Sequence, residues 1–558
     1  MDNQRLILFL ALAIVTLFLW DAWEQKFNPQ PLPVAQTDSG NVQVPSTSST
    51  SALSSTESTA DIPEVETTTD KPAINAKSVV SRGDRIRVVT DVLDMDIDSK
   101  GGDLRRAFLL KYPVSLDKKD EPYPLMDDNL PQLFIAQSGL LSRGEAPDHH
   151  ASYAVEKTEY RMQPGQEELR IPMTWTSKDG KITVTKTYIF KKGNYLFEVE
   201  HEVTNNSDSD WVGRVYSQLQ RNEYDEPGKS RMLYTFTGGA FSTPENAYEK
   251  IDFDEFKDWR AEQSYVKGGW VGMLQHYFVS AWIPGKEELN HFYTRSIDDT
   301  RFIIGMTGKE SVVPANSTKT FSRSLYVGPK DQDHLASVAD NLNLTVDYGV
   351  LTFIAKPIFW LLKTIHEYIG NWGWAIIFVT LIIKLLFYKL SAASYRSMAN
   401  MRKISPKFQA IRDKYGDDRQ RMSQAMMELY KKEKVNPMSG CWPMLVQIPV
   451  FISLYWVLLE SVELRQAPFM LWIEDLSTKD PYYILPILMG LSMWFQQKLS
   501  ANPSLDPMHQ KIMQFLPIVF TFFFMLFPAG LVLYWVVNSI LSILQQWYIT
   551  RQIEGASK

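Results

Sequence analysis

The chain has 558 residues, a single cysteine and a formal net charge of −6. This length allows several domains, and the lone Cys441 excludes an intrachain disulfide and a zinc site built from cysteines alone. The mild acidic excess disfavours nucleic acid as a direct partner. Long apolar segments near the N-terminus and in the last third of the chain indicate a membrane protein.

The first apolar run covers residues 6–20 and is preceded by Arg5. A secretory signal peptide is the alternative interpretation, but no cleavage site of small residues follows the run. We predict an uncleaved transmembrane anchor over residues 1–27, with its N-terminus in the cytoplasm because the basic residue precedes the run. Residues 28–77 are rich in Ser, Thr and Pro, with 11 Ser or Thr among residues 46–59. This composition predicts a flexible linker.

Residues 78–348 read as a series of short strands separated by Gly, Pro and Asn. The clearest signal is a hairpin, in which residues 181–190 and 195–203 flank Lys192-Gly193-Asn194. Helical periodicity is nearly absent until the end of this region. We therefore predict a large antiparallel β-sandwich domain outside the cytoplasm.

The last third of the chain contains one amphipathic segment followed by apolar ones. In residues 349–370 the apolar side chains share one helical face and the charged ones share another, which is typical of a helix lying in the membrane interface. Apolar segments follow at residues 372–390, 443–459, 482–499, 514–527 and 531–549. With the anchor, these segments predict six transmembrane helices. We assign the second to residues 371–390, the third to the sixth to residues 438–549, and a short tail to residues 550–558.

The loops between the apolar segments differ in charge. Residues 391–436 carry 11 Lys or Arg against 5 Asp or Glu, whereas residues 461–481 carry 2 basic and 4 acidic residues. Because basic loops stay in the cytoplasm, the first loop is predicted inside and the second outside. The anchor gives the same orientation independently. Both termini are therefore predicted in the cytoplasm and the β-sandwich in the periplasm.

The basic loop, residues 391–437, is predicted to form a helical hairpin with arms at residues 391–415 and 419–433. It is rich in methionine: Met398, Met401, Met422, Met426 and Met427. Flexible thioethers suit contact with varied apolar substrates. They equally suit packing of the two arms against each other, and the sequence leaves both interpretations open. The positive charge of the loop fits either a topology signal or contact with lipid headgroups.

Lys384 is the most informative residue of the apolar segments, because it lies within IIFVTLIIKLLFYKL. A charge at mid-bilayer costs at least about 2.5–3.5 kcal/mol on insertion scales. Lys384 could reach the cytoplasmic headgroups, as Lys389 does more easily, but we favour a hydrated cavity. Asp and Glu are absent from the apolar segments, so a buried ion pair is not expected. Neutral polar residues on several segments fit a hydrated groove without fixed negative charge, although such residues also hold helices together.

Motifs for familiar enzymes and metal sites are missing or incomplete. Neither H-E-x-x-H nor G-x-S-x-G occurs, and GMTGKE at residues 305–310 lacks the spacing of a phosphate-binding loop. Asp94, Asp96 and Asp98 have the spacing of a calcium loop without its glycine or its final glutamate. We therefore expect no metal, no cofactor and no catalytic residues.

Three long motifs match a known family. They are NPMSGCWPMLVQIPVFISLYWVL at residues 436–458, ELRQAPFMLWIEDLSTKDPYYILPILMG at residues 463–490 and DPMHQKIMQFLPIVFTFFFMLFPAGLVLYWVVNSI at residues 506–540. MDNQR with WDAWEQ at the N-terminus, and GGWVGMLQHYFVSAWIP at residues 268–284, also match. With these motifs the chain resembles the YidC/Oxa1/Alb3 family of membrane insertases, most closely its members in Gram-negative bacteria.

The resemblance implies a polytopic α-helical protein with a five-helix core, a cytoplasmic hairpin, an extra anchor and a periplasmic β-supersandwich. It implies insertion and folding of inner-membrane proteins, alone or beside the Sec translocon. The implied partners are nascent membrane proteins, membrane lipids, the Sec translocon and the ribosome. The tail here is shorter and less basic than in many relatives, so a ribosome contact through it is expected to be weak.

The family carries a positively charged residue in its substrate groove, usually Arg, and the matching position here is Lys384. Thr380, Gln447, Tyr534 and Trp535 match further groove positions. Lysine keeps the positive charge of the family's arginine but, unlike arginine, can lose its proton when desolvated.

Two other functions remain as alternatives from the residues alone. A small-solute transporter would need ligand-coordinating charges and repeated spans, and the sequence has neither. A membrane-anchored carbohydrate-processing enzyme would need paired carboxylates in a cleft of the β-sandwich, which a sequence cannot exclude.

Overall fold

The computed structural model describes residues 63, 82–224, 235–259, 265–416, 418–433, 442–500 and 507–555. The predicted anchor lies outside the described residues, as does the predicted linker apart from Pro63. Among the described residues, twenty strands precede the α-helices. In chain order, β1 to β20 are Arg85–Val89, Leu93–Asp98, Leu104–Ser115, Lys118–Met126, Phe134–Ser142, Ala154–Val155, Glu159–Arg161, Glu168–Thr176, Ile182–Lys191, Leu196–Asn205, Trp211–Asn222, Gly238–Ser242, Glu249–Ile251, Val266–Lys267, Trp270–Leu274, Phe278–Ile283, Leu289–Ile297, Arg301–Gly308, Ser311–Val313 and Ser317–Pro329.

The strands form two sheets. One has eleven strands in the order β14, β17, β18, β11, β5, β3, β2, β1 and β7, with β4 beside β3 and β19 beside β11. The other has nine strands in the order β13, β12, β15, β16, β20, β10, β9, β8 and β6. Leu104 and Leu219 of the first sheet share one apolar core with Phe197 and Leu325 of the second. The predicted β-sandwich is confirmed, with one exception to its antiparallel pairing: β1 and β7 run parallel.

The predicted hairpin is formed by β9 and β10. Gly193 in its turn has φ = 72°, a conformation that glycine adopts without steric cost. The register pairs Phe190 with Phe197, and the two ring centroids are 4.7 Å apart. Aromatic contact across the strands therefore supports the register that the turn sets.

Charged side chains lie inside the sandwich, which the alternating sequence pattern did not reveal. Lys186 on β9 is 0% exposed. Its ammonium donates hydrogen bonds to the carbonyl oxygens of Gly101, at 2.9 Å, and of Ser138, at 2.8 Å. Burial lowers the pKa of Lys186 to about 8, although the negative charge of Asp103 acts in the opposite direction. This lysine joins the two sheets through polar contacts in a core that is otherwise largely apolar.

Ten α-helices follow the last strand in the described part of the chain. In chain order, α1 to α10 are Gln332–Val338, Thr352–Ile369, Trp372–Leu386, Tyr388–Lys403, Ser405–Tyr415, Arg419–Glu433, Trp442–Glu460, Ile484–Ser500, Pro507–Phe524 and Ala529–Gly555. Helix α2 matches the predicted amphipathic segment. It buries Ile358 and Leu362 against the helical core and leaves Phe353 and Trp360 exposed, as expected for a helix at a lipid interface.

One described helix is long and apolar enough to cross a membrane by itself, over Ala529–Gln552 within α10. Helices α3 and α4 meet this criterion only as a pair, and the pair is bent by 66°. The apolar parts of α7 and α9, Val446–Glu460 and Gln514–Phe524, are shorter. The number of six transmembrane helices therefore remains a prediction.

The hairpin differs from its prediction in two details. Its first helix, α4, begins at Tyr388 rather than at residue 391, directly after the bend, where the apolar sequence gives way to polar residues. The predicted first arm is also not continuous, because α4 ends at Lys403 and α5 begins at Ser405. Pro406 explains this break, since proline has no backbone N–H to continue the hydrogen bonding of α4 and its ring clashes with the carbonyl four residues earlier, whereas proline is tolerated in the first turn of a new helix.

The loop after α7 is fixed to the β-sandwich by Arg465. The guanidinium donates a hydrogen bond of 2.7 Å to the carbonyl oxygen of Pro113. It also lies 5.5 Å from the ring centroid of Tyr123 and 5.7 Å from that of Phe278, within cation–π range. Val462, three residues earlier, is 3% exposed and belongs to the apolar core of the sandwich. The loop therefore connects the helices to the sheets through both polar and apolar contacts.

Replacement of Arg465 by alanine is expected to loosen this connection by about 2 kcal/mol, because one side chain supplies charged hydrogen bonds and two ring contacts. Hydrogen exchange in residues 461–466 should become about tenfold faster or more. Lysine should not restore protection, because an ammonium lacks the planar fork and the stacking surface. Lys479→Ala, at an exposed basic residue of the same loop, is the control. Equal exchange in both variants would contradict the assigned role.

Candidate functional site

Lys384 lies on the face of α3 that packs against α10. Its side chain is 7% exposed, and its ammonium donates a hydrogen bond of 2.7 Å to the hydroxyl of Ser542. The serine hydroxyl in turn donates a hydrogen bond of 2.7 Å to the carbonyl oxygen of Asn538, one turn earlier on α10. The side chain of Tyr395 on α4 also interacts with Ser542. Side chains from three helices therefore converge on this point.

The ammonium of Lys384 has no counter-ion within the described residues. Ser542 is its one hydrogen-bond partner there. An ammonium has three N–H groups, so two of them are available to water or to a passing polar group. Lys389, five residues later, is exposed. Lys384 is thus buried against α10, and the hydrated cavity around it stays a prediction.

Thr380 lies one turn before Lys384 on α3 and is 1% exposed. Its hydroxyl donates a hydrogen bond of 2.6 Å to the carbonyl oxygen of Ile376 on its own helix. This bond satisfies the hydroxyl donor locally. Thr380 is thus a small, internally satisfied neighbour of the cation.

The predicted aromatic residues form a second part of the site, nearer the start of α10. Tyr534 is 4% exposed, and its ring stacks on Phe451 of α7 with centroids 6.0 Å apart. The ring centroid of Trp535 lies 5.0 Å from that of the same phenylalanine, and its indole N–H is buried with no hydrogen-bond partner among the described residues. Gln447 is half-buried on α7, one turn before Phe451.

The predicted groove residues therefore fall into two groups. Tyr534 precedes Ser542 by eight residues, which corresponds to about 12 Å along a helix. Lys384 lies against the later part of α10 through Ser542, with Thr380 one turn earlier on α3. Tyr534 and Trp535 instead lie beside Phe451, which is one turn after Gln447 on α7. The two groups are joined through α10, with no hydrogen bond between them among the described residues.

The start of α10 is held by the loop between α7 and α8. The backbone N–H of Ala529 donates to the carbonyl oxygen of Thr478 at 2.6 Å, and that of Gly530 donates to Leu476 at 2.9 Å. A Cβ at Gly530 would lie 3.1 Å from the carbonyl oxygen of Leu476, so the close approach favours glycine. Backbone hydrogen bonds thus hold the first residues of α10 to this loop. Ser542 lies further along α10, towards the end that meets the hairpin.

The methionines of the hairpin differ in their surroundings. Met401 is 8% exposed and packs with Ile404 and Phe408 between the arms, and Met426 is packed against the same cluster. Met427 is 57% exposed. Met398 and Met422 are half-buried. Packing between the arms therefore accounts for Met401 and Met426, and a surface for substrate contact is offered mainly by Met427.

Sequence reasoning missed Tyr395 and gave no special weight to Ser542. No sequence signal pairs Ser542 with Lys384, since 158 residues separate them.

Comparison with known proteins adds the following. Residues 85–361 match the family described as the YidC periplasmic domain, and residues 364–556 match the 60Kd inner membrane protein family. The chain is 50% identical to the membrane protein insertase YidC of Methylococcus capsulatus, over 99% of each chain. It is also 50% identical to that of Thioalkalivibrio sulfidiphilus, over 100% of each. A crystal structure of an active YidC insertase covers 84% of this chain and 94% of its own, with 18% identity and a TM-score of 0.40.

Proposed function

This chain belongs to the YidC family of membrane protein insertases, and we propose that it moves the polar flank of each substrate past Lys384 while the apolar segment enters the lipid. It is an insertase of the inner membrane. The relatives do not favour the alternatives of a carbohydrate-processing enzyme or a transporter. The observation that carries the proposal is the buried ammonium of Lys384, which has no carboxylate partner among the described residues.

The energetics of insertion explain why such a group is useful. An apolar segment of about 20 residues enters lipid spontaneously, because Leu or Ile gains roughly 0.3–0.6 kcal/mol each on insertion scales. The obstacle is the polar flank, since each charged residue costs several kcal/mol at the bilayer centre. A hydrated groove shortens the dry path, and the ammonium attracts acidic or polar groups of the flank for a short time. Insertion then requires no covalent step and no cofactor.

The remaining elements take accessory roles in this proposal. The hairpin receives the substrate on the cytoplasmic side, with Met427 exposed for apolar contact. Helix α2 lies in the membrane interface and braces the helical core. The β-sandwich lies in the periplasm and both termini lie in the cytoplasm, as the charge of the loops predicts. The Sec translocon, membrane lipids and the ribosome are the further partners we propose, the last with a weak contact through the short tail.

A photoreactive amino acid at Trp535 tests whether substrates pass the groove. We expect it to crosslink to a stalled nascent chain that carries one transmembrane segment, because Trp535 lies beside Phe451, where we propose that the groove lies. A reactive group at Gln447 should give the same product. The matched control is Trp547, also on α10, which is 52% exposed and packs against Arg551. Equal crosslinking from Trp535 and Trp547 would contradict passage through this groove.

A further inference from the structure

We propose that Ser542 is the positioning residue for Lys384 and holds the ammonium at the height in the groove where it meets the substrate. This inference rests on the proposed function, in which Lys384 attracts the flank of the substrate. Ser542 is 4% exposed and is the one described residue that hydrogen-bonds to the ammonium, at 2.7 Å.

The hydroxyl of Ser542 is suited to this role because its own proton is already donated within α10, so its oxygen is oriented to accept. A hydroxyl has one donor and two acceptor positions. Its proton is donated to the carbonyl oxygen of Asn538 on the same helix, which fixes the oxygen against α10. One acceptor position then takes the ammonium of Lys384, and the side chain of Tyr395 interacts with the same serine.

Tyr395 extends the contact to the hairpin. It stands on α4, the first helix after the bend at Phe387, and its side chain interacts with Ser542. A movement of the hairpin arm would therefore change the surroundings of the residue that holds the cation. Ser542 thus connects the part of the protein that receives the substrate to the part that attracts its polar flank.

The flexibility of lysine explains why it needs such a residue. Its four-carbon stem allows the ammonium to reach many places, unlike the planar fork of arginine, which is better pre-organised. No described side chain other than Ser542 hydrogen-bonds to the ammonium. Without Ser542, the cation would move towards headgroups or water and lose its fixed place in the groove.

Ser542→Ala in the full-length protein, in cells depleted of their own insertase, tests the proposal. We expect insertion of a single-span substrate with an acidic translocated tail to fall about tenfold or more, the effect expected for loss of one hydrogen bond to a charged group. A substrate with an uncharged tail should change less than about twofold. Ser542→Thr, which keeps the hydroxyl, should restore insertion. Ser539→Ala, a change of equal size at a residue of α10 that is 2% exposed, is the control.

Combination with Lys384→Met separates positioning from a structural role. If Ser542 acts through the ammonium, Ser542→Ala should add no further defect in the Lys384→Met background. A further loss there, or an equal loss for both substrates, would overturn the proposal. Normal insertion by Lys384→Met would instead overturn the proposed function. Normal insertion by Ser542→Ala together with a defective Lys384→Met would overturn this inference alone.

Accumulation of each variant in the membrane is measured alongside insertion. Alanine is a better helix former than serine, so Ser542→Ala should accumulate normally. Ser542→Cys provides a second probe, because a thiol has nearly the shape of the hydroxyl but is a much weaker acceptor. It should show the same selective defect on the acidic tail, and normal insertion by this variant would also contradict the proposal.

Discussion

Replacement of Lys384 by glutamate is expected to abolish insertion of a single-span substrate whose translocated tail is acidic. The change turns an attraction for the tail into a repulsion at a buried position. At an effective dielectric constant of about 20, two unit charges about 4 Å apart interact by about 4 kcal/mol. Because about 1.4 kcal/mol is a tenfold change in rate, even a part of this energy slows insertion tenfold or more.

The control for this experiment is Lys389→Glu, which makes the same charge change at an exposed position just after the bend. It should insert the same substrate at close to the normal rate. Lys384→Arg should also remain active, since it keeps the positive charge. Cleavage of the translocated tail by an external protease measures insertion directly. Normal insertion by Lys384→Glu would remove the ammonium from the mechanism.

Much of the fold follows from patterns that are local in the sequence. The hairpin of β9 and β10 was predictable because a turn containing glycine separates two alternating segments. The amphipathic helix α2 was predictable from its helical period. The bend after Leu386 and the break near Ile404 were not predicted, although Pro406 provided a signal for the break. Breaks inside an apparently continuous segment depend on which neighbours each half contacts, and one sequence does not contain that information.

The site was predictable only in part, for a related reason. Lys384 attracted notice because a charge is rare within an apolar segment. Its partner Ser542 lies 158 residues away, and serine is common on membrane helices, so nothing marks it out. The aromatic pair Tyr534 and Trp535 was assigned to the groove from the resemblance alone, and its contact with Phe451 emerged from the helix packing. Long-range pairings of ordinary residues are the information that the sequence lacks.

Replacement of Lys186 by methionine is expected to remove a large part of the pH dependence of stability in the β-sandwich. Burial lowers the pKa of Lys186 to about 8, whereas an unfolded chain has a lysine pKa near 10.4. Between these values the unfolded state binds more protons than the folded state, so stability rises with pH. For one lysine the gain is about 2 kcal/mol by pH 9.5.

Few other groups affect stability in the same pH range. Burial also lowers the pKa of Lys330 to about 8. The Lys186→Met variant should therefore keep the part of the pH dependence of stability that is due to Lys330. Burial raises the pKa of Glu463 to about 7, and that carboxyl completes its titration below the range. Burial raises the pKa of Tyr293 above its usual value, so buried tyrosines begin to reduce stability as the pH approaches 10, equally in every variant. The difference between variants over pH 8 to 9.5 therefore isolates Lys186.

The unfolding temperature of the β-sandwich in the full-length protein, followed by the circular dichroism of its strands, measures this effect. About 1.6 kcal/mol of this gain falls between pH 8 and 9.5, which corresponds to roughly 3–6 °C for a domain of this size. The increase in unfolding temperature between pH 8 and pH 9.5 should therefore be smaller by this amount in Lys186→Met than in the unchanged chain. Lys191→Met, at a lysine of β9 whose side chain is 57% exposed, should keep the full rise. Equal rises in the two variants would mean that Lys186 titrates alike in the folded and unfolded states, which is incompatible with its contacts to Gly101 and Ser138 in a dry core.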